Sequence, residues 1–240
     1  MNKAISVGFS DEALHEQAAL LASQLSLAVN NETLPRLCVT SDKLVLLAEG
    51  FLPLCADFSA AAWQKRRDAG KKQGLIRACK PVKGMRILDA TAGWGRDAAI
   101  LAGFGANVLM IERNPVMAAL LADALARLSP QSPLTALLSL QCTDARHYLQ
   151  NVPADDAPDV IYIDPMHPHR QKSALVKKDM QVLQQLLGAE DDAESLIQLA
   201  VKHARQRVVV KWPQRLPALL PPDMSITGKT VRFDVYTHRT

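Results

Sequence analysis

Apolar positions follow one rhythm before Lys83 and another after it. Residues 4–9 form a short apolar run that predicts a strand, and residues 12–27 set Ala13, Leu14, Ala18, Leu21 and Leu25 at helical spacing. Three β-prone runs come next, residues 36–40, 43–48 and 53–57, separated by Ser41-Asp42 and Glu49-Gly50. Short runs punctuated by turn residues predict an antiparallel meander. Residues 59–69 then predict a helix that runs into a basic loop.

Beyond Lys83, apolar strands alternate with helices, the pattern of a parallel sheet built from βαβ units. Strands are predicted at residues 85–89, 107–112, 138–142, 160–164 and 207–211, and helices at 96–104, 115–128, 145–150, 173–187 and 194–203. Asn114-Pro115 is a strong helix start, because the Asn side chain caps and proline suits the first helical position. Residues 224–227 and 231–236, joined through Gly228, predict a closing pair of strands. The expectation is an α/β protein with a Rossmann-like, mostly parallel sheet and a closing antiparallel strand at 81–240. A small N-terminal α+β domain, which includes the basic loop, is expected at 1–80.

Composition narrows the class. The hydrophobic share of 48% and charged share of 22% support a buried core and exclude a disordered chain. No window reaches the ~20 apolar residues that cross a bilayer, and the first residues lack a basic start followed by an apolar run, so the protein is expected in the cytoplasm, away from membranes. Cys38, Cys55, Cys79 and Cys142 stand singly, without the close pairs of zinc or redox motifs; no metal is expected, and all four are read as buried, reduced packing residues. A net charge of +4 is too mild to demand a nucleic-acid partner, but the charge is local. Lys65, Arg66, Arg67, Lys71 and Lys72 fall within ten residues, and Lys172, Lys177 and Lys178 form a second group. Both are candidate phosphate contacts and equally ordinary solvated surface.

The chemistry concentrates at strand ends. Asp89-Ala90-Thr91-Ala92-Gly93-Trp94-Gly95-Arg96-Asp97 lies between the first parallel strand and its helix, where two glycines let backbone N–H groups approach a ligand. Such a loop alone also fits a dinucleotide fingerprint. The next two strand ends discriminate: Glu112 at the second can accept both ribose hydroxyls, and Thr143-Asp144 after the third places a carboxylate for an adenine amino group. Asp144 read blandly is a helix cap. The fourth strand ends in Asp164-Pro165-Met166-His167-Pro168-His169, a carboxylate stiffened by prolines beside two imidazoles.

Together, Asp89-Ala90-Thr91-Ala92-Gly93 with Gly95-Arg96-Asp97, Glu112-Arg113-Asn114-Pro115, Asp164-Pro165-Met166 with Pro168-His169, and residues 171–178 resemble the ribosomal RNA small subunit methyltransferase J family. The resemblance spans residues 57–236 and implies a bacterial guanine-N2 methyltransferase that uses S-adenosylmethionine, releases S-adenosylhomocysteine and acts on small-subunit ribosomal RNA or the 30S particle. It implies cofactor contacts at Arg96, Asp97, Glu112, Arg113, Thr143, Asp144 and Asp164, alongside Asp89, Gly93 and Gly95 of the loop. Asp164-Pro165-Met166-His167 also resembles the Asp/Asn-Pro-Pro-aromatic motif of amino-group methyltransferases, departing from it at Met166 and His167.

On this reading Asp164, the Pro165 carbonyl and His167 are the catalytic candidates. A purine amine is a poor nucleophile, so its lone pair must be aimed at the methyl group while its N–H groups are accepted. A base in structured RNA must be splayed out and stacked, a task for His167 or Trp94, although Trp94 equally suits the core. The rival enzymes are an amino-group methyltransferase acting on adenine or a protein glutamine, and an NAD-dependent oxidoreductase. The rival from another class is a catalytically silent RNA-binding module.

Overall fold

A computed structural model describes residues 5–68, 70–165 and 192–237. They fall into two compact units: residues 5–57 with Asn114–Arg127, and Phe58–Arg113, Leu128–Pro165 and 192–237.

In the first unit, strand β1 (Ser6–Phe9) pairs parallel with β2 (Arg36–Val39), which pairs antiparallel with β3 (Leu44–Leu47). Helix α1 (His15–Leu25) packs on β1 and β2 with Ala18 and Ala22 buried. The expected third strand of the meander, residues 53–57, is reduced to a single bridge between Leu46 and Leu54. Pro53 has no N–H to extend the ladder. Helix α5 (Pro115–Ala126) also belongs here; it packs on β3, and Arg127 beyond it donates to the Ala56 carbonyl at 2.7 Å. Asn114 caps α5 as its sequence predicts, accepting from the N–H groups of Val116 and Met117.

The second unit is built on a seven-stranded sheet of order β6-β5-β4-β7-β8-β10-β9. Strands β4 (Arg86–Asp89), β5 (Asn107–Glu112), β6 (Leu138–Cys142), β7 (Val160–Ile163) and β8 (Arg207–Pro213) run parallel. Strand β10 (Val231–Thr237) enters antiparallel between β8 and β9 (Met224–Thr227). The chain moves outward from β4 to β6 and then returns to the other side of β4 at β7. The switch point therefore lies between β4 and β7, where ligands of open parallel sheets bind beyond the carboxyl ends.

One face of the sheet is closed by α6 (Ala145–Asn151) and α7 (Ala193–His203). Leu149, Leu196, Ile197 and Ala200 bury against Leu88, Ile111, Ile161, Ile163, Val208 and Val210. Each such aliphatic side chain withdrawn from water contributes about 1.5–3 kcal/mol, and this apolar platform holds the strand ends in place. Among the described residues of this unit, the other α-helices are α2 (Ala60–Asp68), α3 (Gly74–Cys79) and α4 (Arg96–Gly103). Trp63 of α2 is buried and lies so close to Gly103 of α4 that a Cβ there would meet its ring at 2.7 Å, which explains the glycine. Helix α3, absent from the sequence expectation, sets Gly74 against the Phe233 ring of β10.

The cysteine expectation is corrected in part. Cys38 and Cys79 are buried, but Cys55 is half-buried and Cys142 is exposed, because β6 is the edge strand and its last residues are uncovered. The predicted helix 173–187 lies outside the described residues.

Candidate active site

The loop that follows β4 is tied to both neighbouring strand ends. Asp89, buried at the end of β4, accepts the Thr91 N–H at 3.2 Å. Thr91 Oγ1 accepts the Asp164 N–H at 2.7 Å, which joins the loop to the exit of β7. On the other side the Ala92 N–H donates to the Ile111 carbonyl and the Gly93 N–H to Glu112 Oε2 at 3.0 Å. Gly93 and Gly95 have φ of 54° and 68°, a conformation other residues adopt only under strain, and Gly95 opens α4. The loop is thus a bare backbone arch held between two strand ends.

Carboxylates crowd around it. Asp89, Asp97 in the first turn of α4, Glu112 and Asp164 come from four different elements, and the fold brings all four to the switch point. Burial pushes the Asp89 carboxyl up to about 8; the Thr91 N–H opposes this, and the charges of Asp97, Asp164 and Glu112 reinforce it. Lys211, from the carboxyl-terminal half of β8, enters the cluster with Nζ 2.6 Å from Asp164 Oδ2 and 3.1 Å from Asp97 Oδ2. Burial disfavours its charge, but Asp164 and Asp97 outweigh that and hold Lys211 above the ordinary lysine range. Lys211 is a fixed cation and not a base. The Tyr162 hydroxyl donates to the same Asp97 oxygen at 2.7 Å, and burial with the surrounding carboxylates keeps that phenol protonated.

A second network sits beyond β5 and β6. Asp144 caps α6, accepting from the Arg146 and His147 N–H groups and from the Arg146 guanidinium, whose hydrogen bonds hold its carboxyl below the usual range. Arg146 also reaches Asp192 at 3.0 Å, as does Arg113. The Thr143 N–H donates to the Glu112 carbonyl.

Of the residues singled out by sequence, Asp89, Gly93, Gly95, Arg96, Asp97, Glu112, Arg113, Thr143, Asp144, Asp164 and Pro165 all lie at the carboxyl ends of β4 to β7 or in the turns just beyond them. Arg96 and Arg113 are exposed and Pro165 is buried. Trp94 is 5% exposed, so its ring belongs to the interior, with no partner for Nε1 among the described residues. In the basic stretch, Arg67 lies over the Trp63 ring and bonds Asp68, Lys72 is exposed, Lys65 and Arg66 run in α2, and Lys71 lies in the short turn Gly70–Lys72. His167, Lys172, Lys177 and Lys178 lie outside the described residues. Sequence reasoning missed Lys211, Tyr162, Arg146 and Asp192. A lysine directly after Val208-Val209-Val210, and a tyrosine inside Val160–Ile163, were the available signals, since a polar tip in a buried strand needs a partner.

Among the described residues, no helix is long and apolar enough to cross a membrane and no cluster could hold a metal ion. A bare glycine arch flanked by carboxylates suits a nucleoside cofactor that carries positive charge, and the residues fit S-adenosylmethionine. The sheet, its reversed strand β10 and this acidic switch point define a Rossmann-like, S-adenosylmethionine-dependent methyltransferase. The family model described as "Putative SAM-dependent methyltransferase" matches residues 20–238. A solved SAM-dependent methyltransferase from Neisseria gonorrhoeae superposes with a TM-score of 0.71 at 29% identity, covering 98% of this chain and 96% of that one. A protein of Legionella pneumophila named ribosomal RNA small subunit methyltransferase J is 59% identical over 98% of this chain and 97% of its own length. The protein of that name in Coxiella burnetii is 44% identical over 98% of each. The chain belongs to the ribosomal RNA small subunit methyltransferase J family.

Proposed function

We propose that this enzyme transfers a methyl group from S-adenosylmethionine to the exocyclic N2 amine of a guanine in small-subunit ribosomal RNA, and works in the cytoplasm. The observation that carries the reading is Asp164-Pro165 at the exit of β7, with Asp164 held by Lys211 and Thr91 inside a cluster of carboxylates at the switch point.

The cofactor, when bound, supplies an electrophilic methyl carbon on a positively charged sulfur. Gly93, Gly95 and the first turn of α4, with Arg96 and Asp97, would hold its methionine portion; Glu112 and Arg113 would face the ribose, and Thr143 and Asp144 the adenine. Asp144 already accepts four hydrogen bonds from Arg146 and His147, so its contribution is the shape of that wall as much as a direct contact. Asp164 accepts an N–H of the guanine amine and the Pro165 carbonyl accepts the other, which turns the nitrogen lone pair toward the methyl carbon. As the amine nitrogen takes the methyl group it gains positive charge, which the Asp164 carboxylate would stabilise before taking up the proton that the nitrogen releases. His167 would stack on the splayed base, and Lys65, Arg66, Arg67, Lys71, Lys72, Lys172, Lys177 and Lys178 would meet phosphates.

The test is incubation with labelled S-adenosylmethionine and small subunits, or naked small-subunit RNA, from a strain lacking the gene, with Asp164→Ala alongside. Label on one guanine amino group, reduced about 1,000-fold in the variant, is the expected result. Label on adenine or on protein would move the assignment to another amino-group acceptor. Cofactor binding without any transfer would leave a silent RNA-binding module.

A further inference from the structure

Lys211 is a residue of the site that the family resemblance does not assign. It stands in the carboxyl-terminal half of β8, two strands from the glycine loop, and its ammonium joins two carboxylates from different elements: Asp164 beyond β7 at 2.6 Å and Asp97 on α4 at 3.1 Å. Asp97 Oδ2 is fixed a second time by the Tyr162 hydroxyl at 2.7 Å, and the Asp164 backbone by Thr91. Asp164 is therefore held at both ends, its N–H on the cofactor loop and its Oδ2 on Lys211. A side chain free to turn about χ1 would miss an amine whose lone pair must be aligned within a fraction of an ångström. The Lys211 side chain keeps 22% exposure and those of Asp97 and Asp164 keep 13% and 25%, so the clamp is largely buried with part of its surface in water.

We infer that Lys211 is a positioning residue for methyl transfer: it clamps Asp164 Oδ2 to Asp97, and so sets the orientation of the carboxylate that receives the acceptor amine. The inference rests on the proposed use of Asp164. It predicts that Lys211 acts on the transfer step through Asp164 far more than on cofactor affinity or on the fold.

The experiment is a double-mutant cycle on the full chain with Lys211→Met, Asp164→Ala and the double variant. Single-turnover transfer is measured at saturating S-adenosylmethionine and small subunits, and S-adenosylhomocysteine binding is measured by calorimetry. Lys211→Met should lower the transfer rate about 100-fold, while S-adenosylhomocysteine affinity, which Lys211 touches only through Asp97, falls no more than about 10-fold. Lys211→Arg, which can still bridge two carboxylates, should recover most of the rate. The double variant should be no slower than Asp164→Ala alone, because the two groups act as a unit. A crystal structure of Lys211→Met should show the Asp164 side chain turned away from its present rotamer. Lys211→Gln carries the same cycle if Lys211→Met does not fold. A wild-type rate, full additivity with Asp164→Ala, or an equal loss of cofactor affinity and rate would overturn the inference. A nearly active Asp164→Ala would instead remove the reading on which it rests.

Discussion

Two ion pairs within one sheet show how differently buried charge is used. At the far edge, Arg232 Nε donates to both oxygens of Asp234 at 2.8 and 3.0 Å, Ser225 adds a third donor at 2.6 Å, and Arg232 Nη1 donates to the carbonyls of Pro213, Gln214 and Leu216. Asp234 is 1% exposed and one cation meets one carboxylate; the network is closed and balanced. At the switch point, Lys211 meets two carboxylates, Asp89 and Glu112 stand near them, and the clamp is only partly buried. A closed pair staples β8, β9 and β10 together. The switch-point cluster instead shares one ammonium between two carboxylates and keeps part of its surface in water.

The largest effect that separates the two is on stability. Arg232→Met would leave Asp234 buried without its cation and should cost about 3–5 kcal/mol, a fall in Tm of about 10 °C by calorimetry, with S-adenosylhomocysteine affinity unchanged. Lys211→Met, whose carboxylates can reach water, should lose less. Equal losses would erase the distinction between the two networks.

A smaller effect concerns Asp89. Its folded value of about 8 lies above its ordinary 3.8, so between those limits the folded state holds a proton that the unfolded chain releases. The stability this contributes is fully present below pH 3.8 and is lost as pH rises through 8. Asp89→Asn keeps an oxygen for the Thr91 N–H but carries no titrating proton. Between about pH 5 and about pH 6.5 the wild-type Tm should therefore fall by about 5 °C more than that of the variant. Parallel curves would show that Asp89 is ionised throughout.

Most of the fold was legible because its strands and helices carry strong local periodicity. The parallel strands from Arg86 to Lys211 and the Asn114 cap were found where the pattern put them. What escaped was short or non-local. Helix α3 spans six residues, too few to show a helical period, and residues 53–57 resembled a strand until Pro53 removed a donor. At the site, the acids at strand ends could be read because topology alone carries them to the switch point. Lys211 could not be paired from sequence: Asp164 lies 47 residues away and Asp97 lies 114 away, and only the order β4-β7-β8 brings them together. The same holds for Arg146 and Asp192.

If the switch-point cluster works through the charge of Asp164, then Asp164→Asn is the substitution that isolates it, because it keeps the shape and the hydrogen-bonding oxygen but removes the negative charge. Single-turnover transfer to small subunits at saturating S-adenosylmethionine should fall about 100-fold or more, a far larger loss than any in S-adenosylhomocysteine affinity. A rate near that of wild type would show that Asp164 only orients the base, and would refute a role for its charge.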